Sequence, residues 1–386
     1  MTEHRGTPIS IFKLQFEDRR CDVSVVRGSD IRCKGSGVIV RPFTVLFLLS
    51  IIALGARPDA AIHVDVLRPV GGLPAHVEGL FEEPAAFQQA ASGHYFVFDR
   101  RGHAIYMIEP DRASVRRIVE IGQEEGRIIQ PSGFDLARDG SFVVADVPRG
   151  QERIQVFGPG GLRTGGFFIA GRAAPQVIFG SLAVTGISSL QYTGDSLFMS
   201  EPERGGLITE YSPSGVAQRT IGRLRDTGYE QERDLHLAMN AGLPLVDPTG
   251  GFFYVFLTGQ PMFRKYDAAG TLRFERHIEG REIDDVLAAQ PTTWPTRRVE
   301  DREVPFVAPV IRAAAVDQQG QLWISMIVPY TYVYDAHGDK ARTVQFSAAG
   351  IISPASLFFT RTGRILVTPG CYEFDPARVV KDTKTN

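Results

Sequence analysis

Cysteine is scarce in this chain, with three residues in 386, at Cys21, Cys33 and Cys371. The first two precede an apolar run that reads as a signal segment. A chain cut there keeps a single cysteine, so no disulfide framework can hold the fold. An excess of one charge sign is also missing. Lys+Arg number 42 against Asp+Glu 44, a net charge of −2. That balance excludes a polybasic nucleic-acid binder and an acidic disordered tail as the dominant character. Long apolar runs are nearly absent. The longest is Phe43 to Ala56, 14 residues, against the ~20 that span a bilayer as a helix. Catalytic signatures are lacking too: there is no GxSxG, HExxH, CxxC, P-loop or GxGxxG.

Glycine (40), proline (24) and phenylalanine (25) are plentiful, whereas tryptophan is limited to two. Turn-forming residues between Phe-, Val- and Ile-rich runs point to β structure. The run at 43–56 follows Arg41 and ends on Ala53, Gly55 and Ala56. A basic flank, a short apolar stretch and a small-residue end are the anatomy of a secretory signal peptide, with a cut expected between Gly55 and Ile62. The expected organisation is therefore an extension at 1–40 that is non-native or cytoplasmic and a signal peptide or anchor at 41–61. A folded domain at 62–376 and a tail at 377–386 complete it. The expected location is periplasmic or secreted, or anchored to the membrane through 41–56 if the signal is not cleaved.

A repeat governs the rest. Gly93, Gly140, Gly194, Gly250, Gly320 and Gly363 stand 47, 54, 56, 70 and 43 residues apart. Each follows a short apolar run (AAFQQA, GFDLA, ISSLQY, LPLVD, AAAVD, SLFFT) and precedes further β-rich runs such as SFVVAD or FFYVFL. Four strands per unit of this length is the signature of a β-propeller. The sixth unit has room for about three strands, and IHVDVLR at Ile62–Arg68 supplies a spare one at the other end. The expected fold is all-β: a six-bladed β-propeller of four-stranded antiparallel blades, its ring closed by the N-terminal strand joining the last blade.

Two stretches interrupt the rhythm, at 223–240 (RLRDTGYEQERDLHLAMN) and 281–305. In the second, Ile283, Val286 and Leu287 are spaced as on a helix, predicted over Arg281–Ala289. TTWPTRRVEDREVP after it reads as a charged loop carrying Trp294. Both inserts join one blade to the next, which places them where inter-blade loops gather, as a lid or rim over the central channel. Their arginines (Arg223, Arg225, Arg297, Arg298 and Arg302) are interleaved with acids and read as solvated.

The segment PSGFDLARDGSFVVADVPRGQERIQVFGPGG resembles an NHL-type repeat. The likeness extends loosely over Pro84 to Pro376 and is close only in that second unit. The group resembled is the six-bladed propellers of bacterial exported proteins. Some six-bladed propellers are metal-dependent lactonases or phosphotriesterases, with oxygen ligands at the starts of their innermost strands. The matching residues here are Glu83, Ser132, Ser188, Asn240, Arg312 and Ser356. Only Glu83 and Asn240 are good Ca²⁺ ligands, and Arg312 repels a cation. The set fits a ligand pocket better, with Arg312 gripping an acid group and with Trp294 and His236 added from the inserts. The expected partner is a small molecule, peptide or glycan, or another exported protein, with no nucleic acid and no cofactor. A lactonase-like hydrolase or lyase using Ca²⁺ is the alternative. Asp99, Asp146 and Glu201 recur at the end of the second strand and read as turn-fixing acceptors. Tyr330, Tyr332 and Tyr334 share one strand face, as a ligand platform or as packing between blades.

Overall fold

The computed structural model describes residues 63–169, 175–179, 182–185, 189–299 and 302–381. The expectations for 1–61 lie outside the described residues, as does Ser188. Among the described residues no helix is long and apolar enough to cross a membrane.

The chain is a β-propeller. Four-stranded antiparallel sheets occupy 84–119, 133–168, 190–221 and 242–277. A fifth unit spans 311–347. The sixth combines Ser356–Phe359, Ile365–Thr368 and Tyr372–Lys381 with the N-terminal strand Val64–Gly72. The first strands of the units touch one another in a closed cycle, and Ser356–Phe359 returns to Pro84–Gln89. Those six strands are therefore innermost and line the channel.

The sequence logic is visible in each sheet. The second strands Tyr95–Asp99, Phe142–Asp146, Phe252–Phe256 and Leu322–Met326 are buried at every position. A strand covered on both faces needs no polar alternation, so these read as continuous apolar runs. Outer strands such as Leu272–His277 are largely exposed and carry the charges. Between strands one and two the marker glycines take the left-handed conformation. Gly140 sits at φ 90°, in a turn that a side chain would strain.

Aromatic residues hold adjacent blades together. Phe98 of the first blade stacks on Phe134 of the second at 5.7 Å, and Phe263 of the fourth meets Tyr334 of the fifth at 4.8 Å. Such pairs contribute about 1 kcal/mol each beyond the area they bury. Tyr332 and Tyr334 are fully within this apolar layer, so the tyrosine strand packs blades and is not a ligand platform. The ring closes on a similar seam, with Leu366 and Cys371 of the last blade against Phe87 and Val97 of the first.

The N-terminal strand does more than finish the last blade. It pairs antiparallel with Tyr372–Lys381 and parallel with Lys340–Ser347, from Val64↔Thr343 to Leu67↔Phe346. The strand that closes the ring is thus central in its sheet and not an outer edge, and the fifth and sixth units share one sheet. Residues 377–381, expected as tail, are strand.

Both inserts are structured. The first carries helix α2 (Arg233–Met239), following a short α1 (Ala75–Glu78) near the N-terminus. The second carries helix α3 (Arg281–Ala288), close to the predicted span. The expected loop beyond it is a hairpin, Thr296–Val299 paired with Arg302–Pro305. Its strands read TRRV and REVP, where charge hides the β-branched residues.

Candidate functional site

Innermost strands run from the face where inter-blade connections gather to the opposite face. Two cavities follow from this layout, one at each face.

The first, of about 520 Å³, lies under the two inserts. Helix α2 buries Leu235, Ala238 and Met239 against Val307, with Tyr229 and Trp294 beside them. Helix α3 buries Ile283 in the core between blades four and five, and its Glu282 accepts a hydrogen bond from Tyr332 Oη at 2.8 Å. Glu282 and Asp284 also stand in the first turn, where the helix dipole favours negative charge. The inserts are therefore anchored to the propeller and to each other. Their cavity is lined by Met262, Arg264, Glu275 and His277 from the outer strands of blade four. No innermost strand lines this cavity, which lies between the inserts and blade four.

Arg225 forms part of the floor, and it corrects the reading of the insert arginines as solvated. It is 9% exposed. Its guanidinium donates to the carbonyls of Met239 (2.7 Å), Thr258 (2.6 Å) and Gln260 (2.7 Å) and lies 4.4 Å from the centroid of Phe256. Among the described residues no carboxylate pairs with it. Burial pulls its pKa down to about 10, which leaves it charged at neutral pH. Neighbouring Arg264 is neutralised by Glu275 at 2.5 Å. Trp294 lines the same cavity, and its buried Nε1 has no hydrogen-bond acceptor.

The other sequence candidates do not converge here. Asn240 is fully buried and spent on structure. Its Oδ1 accepts from Arg225 N (2.8 Å), and its Nδ2 donates to His236 O (3.0 Å) and Arg225 O (3.3 Å). Glu83 pairs with Arg100. The two oxygen donors considered for Ca²⁺ are thus both engaged by protein. Among the described residues no group of three or more His, Cys, Asp or Glu side chains is placed to hold a metal ion. Ser132 Oγ reaches Ala145 O at 3.4 Å, and Ser356 Oγ meets Thr368 Oγ1 at 2.8 Å. Arg312 is exposed on its innermost strand, outside both cavities. His236 shares a hydrogen bond with Thr227 at 2.8 Å and so braces the loop at the cavity mouth. Of the seven candidates among the described residues, Trp294 alone lines the insert cavity.

The second cavity, of about 600 Å³, is the channel mouth on the opposite face. All six innermost strands end there. Side chains link one blade to the next around it. Gln88 Nε2 donates to Asp135 Oδ1 (3.0 Å), Asp135 Oδ2 accepts from Tyr192 N (2.7 Å), and Gln191 Oε1 accepts from Val246 N (2.6 Å). Burial raises the Asp135 carboxyl to about 6 in spite of these bonds. Gln88 Oε1 is buried without a donor. The sequence signal was a lone acid inside an apolar strand, GFDLA.

Of the recurrent acids, Asp99 fixes the turn that follows it, whereas Asp146 and Glu201 hold other partners. Asp99 accepts from the backbone N–H groups of Glu82 (2.9 Å), Glu83 (2.8 Å) and Gly102 (3.1 Å). Asp146 accepts from Ile129 N (3.0 Å) and binds Arg153 through both oxygens. Glu201 accepts from Tyr211 Oη. Each ties its blade to neighbouring backbone or side chains.

One constellation was not read from sequence. Ser92 Oγ lies 2.9 Å from His94 Nδ1, and His94 Nε2 lies 3.0 Å from Glu109 Oε2. The chain has the order of a hydrolytic relay, but it sits on an exposed turn and lines neither cavity. Nothing there withdraws water or offers an oxyanion site.

No protein-family model and no curated protein matches the chain. Among solved structures it is similar to a streptogramin B lyase, with TM-score 0.45 and 8% identity over 76% of this chain and 93% of that one. It is also similar to the hydrazine synthase of Kuenenia stuttgartiensis, with TM-score 0.44 and 10% identity over 78% and 96%.

Proposed function

We propose that this chain is an exported β-propeller of the binding type, which takes a small molecule in the cavity between blade four and its two inserts. The carrying observation is that residues 223–240 and 281–305, whose starts are 58 residues apart and which share no sheet, pack onto one another and enclose about 520 Å³. That volume lies within the range of small-molecule sites and is small for a folded peptide or a branched glycan. An aromatic and apolar wall (Trp294, Tyr229, Met239) with a few fixed polar groups is the usual make-up of such a site. Export rests on the apolar run at 43–56, and the NHL-type reading rests on the second repeat unit. A metal-dependent hydrolase is the weaker reading, because Asn240 and Glu83 are occupied by protein partners.

The test is a thermal-shift screen of the full chain with small organic acids, amines, sugars and nucleosides. Gln290→Trp fills the insert cavity, and Gln318→Trp fills the channel mouth. Compounds that raise the Tm of the native chain should lose their effect in Gln290→Trp and keep it in Gln318→Trp. The opposite pattern moves the site to the channel mouth and overturns the proposal.

A further inference from the structure

We infer that the insert cavity is built for an oxyanion, a carboxylate or phosphate carried on a compact planar body. The inference rests on the binding role proposed for that cavity and names its ligand class.

Arginine has five N–H donors, and Arg225 places three hydrogen bonds on the Met239, Thr258 and Gln260 carbonyls. Two donors are left over. Trp294 adds a buried Nε1–H with no acceptor among the described residues. A buried donor left unpaired costs about 1–3 kcal/mol, and native proteins seldom keep one without a reason. Donors and not acceptors are therefore in surplus at this site, so the missing partner is an acceptor.

Charge narrows the class. Arg225 is buried with carbonyl dipoles as its only polar partners. Of the nearby acids, Glu275 is matched by Arg264, and Asp226 is exposed. A negative group entering the cavity would meet a cation that has already lost most of its water, where the attraction is least screened. The rings of Trp294 and Tyr229 on the wall accept a flat apolar body beside that charged end. The channel mouth has the reverse character, with Gln88 Oε1 an acceptor lacking a donor, so the two cavities select different chemistry.

The experiment is calorimetric titration of the full chain with benzoate and phenyl phosphate, beside the neutral benzamide and benzyl alcohol. The anions should bind at least about tenfold more tightly than the neutral compounds, the effect of one charge-assisted hydrogen bond. Preference between benzoate and phenyl phosphate separates the two sources of oxyanion. Trp294→Phe keeps the ring and removes the donor. It should weaken the anions about tenfold and leave the neutral compounds unchanged. Equal affinity for charged and neutral probes overturns the oxyanion inference while leaving the binding cavity standing. Absence of binding by all four at millimolar concentration overturns the inference, and the wider thermal-shift screen then decides the cavity separately.

Discussion

Arg225 holds its guanidinium 4.4 Å from the ring centroid of Phe256, with three carbonyl oxygens around it and no carboxylate. This arrangement gives the insert region both its stability and its chemistry. Arg225→Ala leaves the Met239, Thr258 and Gln260 carbonyls without their donor. At about 1 kcal/mol for each lost bond the cost is about 3 kcal/mol. Arg225→Lys should recover part of it, since an ammonium reaches fewer of the three. Urea unfolding of the three proteins checks the order; equal midpoints would show that the carbonyl cage contributes nothing.

Asp135 makes stability depend on pH in a specific direction. Its carboxyl titrates near 6 in the folded chain against 3.8 when unfolded. A raised folded pKa means that the ionised form is disfavoured, so the penalty is present at neutral pH and disappears as pH falls below about 4. The two-unit difference sets an upper bound of about 3 kcal/mol. Asp135→Asn should therefore be more stable than the native chain at pH 7.5 and equal to it near pH 4. The new amide can also donate to the orphan Gln88 Oε1. Thermal unfolding across that range is the check, and a mutant less stable at pH 7.5 would refute the burial argument.

The N-terminal strand is hydrogen-bonded on both sides, with Val66 facing Val380 on one flank and Gln345 on the other. Proline at position 66 removes an N–H from a central strand and fixes an unsuitable φ, at a cost of about 3 kcal/mol or more. Hydrogen exchange of Val66→Pro should show lost protection along 340–347 and 372–381 together. Loss confined to the last blade would mean that the parallel pairing with blade five is not formed in solution.

Asp146 and Arg153 form a buried ion pair with contacts of 2.9 and 2.6 Å. Asp146→Asn strands a buried cation and should cost about 3–5 kcal/mol. Adding Arg153→Met should return part of that loss, because the unpaired charge goes with it. A double mutant as unstable as the sum of the single changes would argue against direct coupling.

Much of the propeller was legible because its signals are local and repeated. The marker glycines fall in turns that need their conformation, and the buried second strands announce themselves as unbroken apolar runs. Helix α3 was read from three apolar residues at helical spacing. The site was far less legible. Arg225 looked like one more surface arginine, since its three acceptors lie 14, 33 and 35 residues along the chain. Asn240 looked like a ligand because its type is right, although its side chain is consumed by Arg225 and His236 backbone. The hairpin after Trp294 was obscured by its charge. Only the fold brings these segments together, and no spacing in the sequence reports that meeting.

Diffraction from crystals of the full chain soaked in phenyl phosphate puts the ligand site to the most direct test. The account predicts density between the Arg225 guanidinium and Trp294 Nε1, with the phenyl ring against Trp294 or Tyr229. Density at the channel mouth beside Gln88 and Asp135 instead, or an insert cavity filled by side chains and closed to the compound, would contradict it.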